Sequence, residues 1–285
     1  APDAMSDFAI SMPSLFRSPI QKLLTIAFII TCAKHVSVIE DRINPPLNVL
    51  ALLLHGAFPV ALIHIQGDDG TALVLAILFA AMLFAAGVKL RYFAIAGGFA
   101  AAALPVMWFF VLNEDQRDRF RILFNPEADL YGSGWQQWRA RVAMANGGFF
   151  GQGYLKGDFV QRGDVPLGYN DFMFASIGEE LGLFGLLAVV ALLVAIAVRI
   201  LIVAHRAKDK QGVILCVGIF GMLCAQIILN IGMCVSVLPV IGITLPFFSA
   251  GGTSLVATYL GIGLVINVYM HRNRRVMYLK DDMEP

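Results

Sequence analysis

Runs of about 20 apolar residues, separated by short charged turns, constrain this chain more than any other feature, because a hydrocarbon core about 30 Å thick is crossed by about 20 residues of helix. Six runs reach that length, at 47–65, 71–88, 93–112, 181–198, 213–238 and 253–270, and a seventh, 23–38, is interrupted near its end by Lys34 and His35. Hydrophobic residues make up 58% of the chain and charged residues 14%, where soluble domains carry about a quarter charged. The expected fold is all-α: a polytopic transmembrane helical bundle of about seven spans, forming a single membrane domain over 1–285.

A formal net charge of +1 excludes the basic surplus with which nucleic-acid binders neutralise phosphates. The four cysteines, Cys32, Cys216, Cys224 and Cys234, lie inside apolar runs without CxxC spacing or histidine pairing, so they read as packed thiols rather than zinc ligands. No phosphate-binding GxxxxGK[ST] loop and no Ser, His, Asp constellation is present. His55 and His64, nine apart in one span, suit packing or pore lining. Reactions driven by ATP or hydrolysis find no support, so chemistry performed by this chain draws on energy already in its substrate.

Lys and Arg concentrate in alternate connections, which marks the cytoplasmic side. Lys34 and Arg42 precede the second run, Lys89 and Arg91 separate the third and fourth, Arg199, Arg206, Lys208 and Lys210 follow the fifth, and Arg272, Arg274, Arg275 and Lys280 lie in the tail. The intervening turns, QGDDG at 66–70 and LPVIGITLPFFSAGG at 238–252, hold neither and are expected outside. The same assignment places Ala1 outside, which an odd number of preceding spans in a longer parent chain would achieve.

Segment 113–170 is too long for a plain connection, and its seven acidic and seven basic residues balance. It is expected to be a large, partly helical extracytoplasmic loop. Trp135, Trp138, Val142 and Ala145 share one helical face with Arg139 and Arg141 about 80° to either side, which predicts a helix lying on the membrane surface. Gly147 and Gly148 are placed to end it. The following GGFFGQGYLKG (147–157) spaces glycines where unusual backbone angles or close approach to a ligand are needed.

Asp171, in GYNDFMFASIGEELG, stands where this loop becomes the fifth run. It is either a functional carboxylate or, with Asn170, a helix N-cap. Glu179 and Glu180 follow about 12 Å further along a helix, a depth at which carboxylates are paired or functional. Asp68 is a turn former or a polar site residue. Asn230, inside the sixth run, reads as interhelical glue.

Three ordered blocks together resemble the SEDS family of shape, elongation, division and sporulation proteins, which includes RodA and FtsW. PVIGITLPFFSAGGTS (239–254) is similar to its proline- and glycine-rich signature, NDFMFASIGEELGLFG (170–185) to its DFIFA…GEELG block, and NGGFFGQGYLKG (146–157) to its glycine-rich stretch. QGDDGT (66–71) resembles its QPDLGT with Gly67 for proline and Asp69 for leucine. SPIQK (18–22) corresponds only loosely, Ser236 stands where glycine is usual, and Ala250 stands where tyrosine is common.

The resemblance aligns the seven runs with the last seven of ten family spans. It implies a glycosyltransferase of the bacterial cytoplasmic (inner) membrane, multi-pass with an outward-facing active site, that polymerises lipid II into peptidoglycan beside a class B penicillin-binding protein. It also implies Asp171 as the catalytic base. Arg139, Arg141 and Lys156 then suit the lipid diphosphate, although the arginines could equally reach lipid headgroups. Asp68, Glu179, Glu180, Ser249, Gly251, Gly252 and Thr253 complete the expected substrate-binding set, with Glu179 and Glu180 placed to position the helix or pair with a basic residue, and with Thr253 alternatively capping the last span. A divalent cation is compatible, but no ligand cluster demands one. Within the family the alternatives are a lipid II flippase and a non-catalytic cell-wall scaffold.

Overall fold

A computed structural model of the chain describes residues 3–106, 109–110, 114–124, 132–165 and 167–272. Side chains are described from Gln21 onward, except at 41, 104, 106, 115, 119, 120, 124 and 133. Among these residues every regular element is helical: α1 (Asp3–Val38), α2 (Pro46–Ile65), α3 (Asp69–Ala86), α4 (Leu90–Val106), α5 (Glu114–Phe124), α6 (Ser133–Gly147), α7 (Asp158–Gln161), α8 (Met173–His205), α9 (Lys210–Cys234) and α10 (Gly252–His271). Six are long and apolar enough to cross a membrane: α1 over Gln21–Val38, α2, α3, α8, α9 and α10. The expected span at 93–112 is a shorter apolar helix, described to Val106, and the rest of that range falls partly outside the described residues. The protein is therefore an all-α, multi-pass membrane protein.

Two compact units form along the chain. The first comprises Ala1–Gly87, Ala197–Leu223 and Gly251–Pro285. Its helices pack by fitting large side chains against glycines, because association within lipid relies on close van der Waals contact more than on the hydrophobic effect. A Cβ at Gly56 would strike the Phe79 ring, one at Gly218 would lie 2.8 Å from Ile29 and 2.9 Å from the Met82 sulfur, and one at Gly261 would lie 3.3 Å from Ile219. Asp68 caps α3 by accepting from the Thr71 amide at 2.9 Å. Gly87, with φ 92, closes that helix in the left-handed conformation. His55 packs against His35, Nδ1 to Nδ1 3.3 Å, and against Thr31 at 3.3 Å, while His64 meets Asp69 at 2.7 Å. The two span-two histidines thus pack against different partners.

The second unit comprises Val88–Ile196 and Cys224–Ala250. Its core joins Ala140 and Ala143 of α6 to Phe172, Phe174, Leu193, Met233 and Leu245. Helix α6 ends at Gly147 with Gly148 at its C-cap, as expected. Its buried stripe, however, is Gly134, Gln137, Ala140, Ala143 and Gly147, whereas Trp138 is 48% exposed. The tryptophan face is thus not the packed one. The reason is distance: Gly147 lies so close to the backbone of Gly178 and Glu179 that a Cβ there would collide with both, so only glycine fits at that end of the stripe.

Helix α9 ends earlier than its hydrophobicity predicts, at Cys234. Ser236 N–H donates to Met233 O at 3.1 Å and Val237 N–H to Gly232 O at 2.9 Å, the paired bonds of a Schellman closure. That closure needs a left-handed residue, and Ser236 supplies it with φ 58. The family pattern's glycine at this position is therefore a conformational requirement.

Candidate functional site

The turn that carries Asp171 is held by its own backbone. Leu167 O accepts from Asn170 N–H at 2.9 Å and Phe172 N–H at 3.2 Å, and the fully buried Phe172 ring anchors the turn in the core. Ser176 donates to Gly168 O at 2.9 Å as α8 begins. The next three carbonyls are each taken by residues from 230–250. Tyr169 O accepts from Ala250 N–H at 2.8 Å, Asn170 O from the Ser249 hydroxyl at 2.6 Å, and Asp171 O from Asn230 Nδ2 at 2.7 Å.

These bonds explain the hydroxyl- and glycine-rich composition of the 239–254 motif. Ser249, only 2% exposed, also accepts from Leu245 N–H at 2.8 Å, so one hydroxyl closes its own turn and clasps the next. Asn230 donates further to Ile243 O at 2.6 Å. The loop runs close past the aspartate: a Cβ at Gly242, whose φ is +66, would lie 3.8 Å from Asp171 Oδ2. The result is a partly exposed carboxylate on a fixed backbone at the start of an apolar helix. These donors satisfy carbonyls that lipid could not.

The two glycine motifs are explained by one another. Helix α8 breaks at Gly182, φ 68 and ψ −166, and the 148–153 loop fills the break. Gln152 and Gly153 N–H donate to Glu179 O and Glu180 O at 3.0 and 2.9 Å, while Leu183 and Phe184 N–H donate to Gly148 O and Phe149 O at 2.9 and 3.2 Å. Side chains at Gly151 or Gly182 would collide with the opposing backbone. Unusual backbone angles were one expectation for this loop, and Gly148, Gly151 and Gly153 hold φ of 56, 78 and 106; the close approach at Gly151 is to the main chain of α8.

Glu179 is fully buried. Its carboxylate accepts from Phe159 N–H at 2.8 Å and Val160 N–H at 2.9 Å, the amides a side-chain N-cap would otherwise serve on α7, whose own N-cap, Gly157, offers none. Phe159 then lies beneath Arg139, whose guanidinium carbon is 5.5 Å from that ring, 5.3 Å from Trp135 and 5.9 Å from Trp138. Asp164 meets Arg139 Nη2 at 3.4 Å, and Arg139 Nε is buried with no hydrogen-bond partner among the described residues.

Arg141 is exposed on α6, and Lys156 is exposed with its stem 3.3 Å from the position of a Cβ on Gly153. Glu180 accepts from Gln161 Nε2 at 3.2 Å and lines a cavity of about 660 Å³ walled by Leu155, Leu167, Tyr169, Met173 and Phe248. Asp171 is not among its lining residues. Asp68 is a helix cap in the first unit. Thr253 is not the cap of α10: that position belongs to Gly251, with no side-chain bond, and Gly252 and Thr253 lie within the first turn. Among the described residues no three His, Cys, Asp or Glu side chains converge as a cation site.

Sequence reasoning missed Gln137. It is buried and donates to Met233 O at 3.1 Å and Leu238 O at 2.7 Å, closing the end of α9. A long polar side chain on the small-residue stripe of α6 is the signal that could have found it.

The family model described as "Cell cycle protein", covering FtsW, RodA and SpoVE, matches residues 13–274. The chain is 36% identical over 214 residues to peptidoglycan glycosyltransferase MrdB of Escherichia coli K12, covering 75% of this chain and 58% of that protein. It is 37% identical over 226 residues to a probable peptidoglycan glycosyltransferase FtsW of Geobacter metallireducens, covering 79% and 57%. The chain thus spans less than two thirds of these relatives. Among solved structures it resembles a chain from work on polymerization and crosslinking by a peptidoglycan synthase complex, with a TM-score of 0.73 at 27% identity over 89% of this chain and 70% of that one. It also resembles the rod shape determining protein RodA of Thermus thermophilus, with a TM-score of 0.61 at 25% identity over 89% and 66%. The chain belongs to the FtsW, RodA and SpoVE family of multi-pass membrane proteins.

Proposed function

We propose that this chain is the larger part of a lipid II polymerase, with Asp171 as the general base. Joining two lipid-linked disaccharides requires the acceptor hydroxyl oxygen to attack the donor's anomeric carbon while the bond from that carbon to the lipid diphosphate breaks. The hydroxyl proton passes to the Asp171 carboxylate, and the diphosphate leaves as an anion. Attack opposite an α-linked phosphate gives a β-linked product, so the transfer inverts without a covalent enzyme intermediate.

The observation that carries this reading is the clamped turn at 169–171. A base must hold its position through the transition state, and three successive carbonyls bonded to residues 230–250 supply that rigidity. Arg139 is the best placed of the expected phosphate partners, because neighbouring rings surround its guanidinium and its Nε has no partner among the described residues. Arg141 and Lys156, both exposed, would gather the anionic substrate. A divalent cation, which this chemistry would accommodate, would add positive charge at the leaving diphosphate. The names of the relatives support the substrate, and the synthase-complex neighbour supports a penicillin-binding partner. The Lys and Arg asymmetry of the connections supports an outward-facing site in the cytoplasmic membrane.

The test is Asp171→Asn in the full-length protein, reconstituted in vesicles with lipid II. Glycan polymerisation is expected to fall by about 10²–10⁴-fold. A polymer yield equal to the parent's would remove Asp171 from the mechanism, and lipid II translocation without polymer would support the flippase reading instead.

A further inference from the structure

Glu179 is a fully buried carboxylate for which no Lys or Arg ion pair occurs among the described residues, and taking a charge out of water is costly unless hydrogen bonds offset it. The structure supplies those bonds from backbone. Oε1 accepts from Phe159 N–H at 2.8 Å and Oε2 from Val160 N–H at 2.9 Å, while Glu179 O accepts from Gln152 N–H at 3.0 Å. One residue of α8 therefore fixes both the glycine loop and the start of α7.

The fit leaves no slack. A Cβ at Gly157 would stand 2.9 Å from Glu179 Oε2 and 3.0 Å from its carboxyl carbon. Downstream of this anchor, Phe159 faces Arg139, and Phe159 O accepts from Asp164 N–H at 2.8 Å. Asp164 in turn meets Arg139 Nη2 at 3.4 Å. The guanidinium is thus placed by two groups on the segment that Glu179 holds.

We infer that Glu179 is a positioning residue: its carboxylate sets α7, and through Phe159 and Asp164 it orients the Arg139 guanidinium toward a diphosphate. It touches neither substrate nor leaving group. This inference rests on the glycosyl-transfer reading for the ligand class, but its test is binding rather than turnover, so the two fail separately.

Farnesyl diphosphate, titrated into the detergent-solubilised full-length protein, is the probe, and fluorescence of Trp135 and Trp138, which flank Arg139, reports its binding. Glu179→Gln and Arg139→Ala are each expected to raise the dissociation constant by about tenfold, the scale of one lost charge-assisted contact. The double variant should be no weaker than Arg139→Ala alone, because both changes remove the same contact. Protein lost irreversibly lowers the amplitude of the titration and leaves its midpoint unchanged, whereas reversible unfolding weakens the apparent affinity by the folded fraction, so each titration is paired with a thermal melt that gives that fraction. If Glu179→Gln fails to fold, Gly157→Ala displaces the carboxylate while retaining it and should weaken binding to the same degree. Parental affinity in Glu179→Gln, a double variant about a hundredfold weaker than the parent, or a parent that does not bind the probe would each overturn the proposal.

Discussion

Asn230 Nδ2 donates to the carbonyl of Asp171 at 2.7 Å and to that of Ile243 at 2.6 Å, so a single amide inside α9 fastens two turns that lie 72 residues apart in sequence (243 − 171). Both acceptors are main chain, so the contact constrains where the backbone of Asp171 sits rather than how its carboxylate is charged.

Replacing Asn230 by Ala removes a buried donor shared by two carbonyls. Stability is expected to fall by about 2 kcal/mol, as for buried polar groups left unmatched. In the full-length protein, the proposed polymerisation should fall by about 10²-fold through misplacement of Asp171, the proposed base. Asn230→Asp turns an acceptor oxygen, in place of the donor, toward two carbonyl oxygens and should be worse on both measures. Thermal unfolding in detergent, run beside a lipid II polymerisation assay, checks the pair.

The interlocked glycine motifs separate two kinds of constraint. Gly151 and Gly67 both hold left-handed angles, φ 78 and 84, but an added Cβ meets Glu180 backbone at Gly151 and nothing at Gly67. Gly67→Ala should cost about 1 kcal/mol from backbone strain alone. Gly151→Ala should cost about 3 kcal/mol or more, because backbone on both sides must move. Equal shifts in unfolding midpoint would contradict the docking of 148–153 into the break of α8.

Ser236 occupies a left-handed position, and its hydroxyl oxygen is buried without a hydrogen-bond partner among the described residues. Glycine relieves both defects. Ser236→Gly is expected to stabilise the protein by about 1 kcal/mol, net of its own chain entropy, with polymerisation unchanged. An unfolding midpoint that falls would show that the α9 closure differs from the one described.

Asp68 tests capping against substrate binding. Asp68→Ala should lose about 1 kcal/mol of stability, whereas Asp68→Ser, which keeps an oxygen for the Thr71 amide, should lose almost none. If capping is its whole role, Asp68→Ser also polymerises at the parental rate. A folded but inactive serine variant would assign Asp68 to the substrate.

Six of the seven expected spans and their approximate limits were legible because they depend on local quantities, run length and hydropathy. That Asn230 must find a partner was legible for the same reason, but the partners are the carbonyls of two turns and not another helix. The packed face of α6 was not. Tryptophan periodicity points one way along that helix, but the decisive fact is how near Gly178 and Glu179 approach, which no property of α6 encodes.

What the sequence determined by itself is the solvent this chain lives in and the elements it can form there, because hydrophobic length and backbone hydrogen bonding leave little choice within lipid. The tertiary structure decided which backbone groups the polar residues hold. Ser249, Asp68 and Glu179 all read as possible substrate contacts, and each proves to hold backbone amides or carbonyls. A side chain's composition records only that it can hydrogen-bond. Its partner is fixed by distances between segments far apart in the chain.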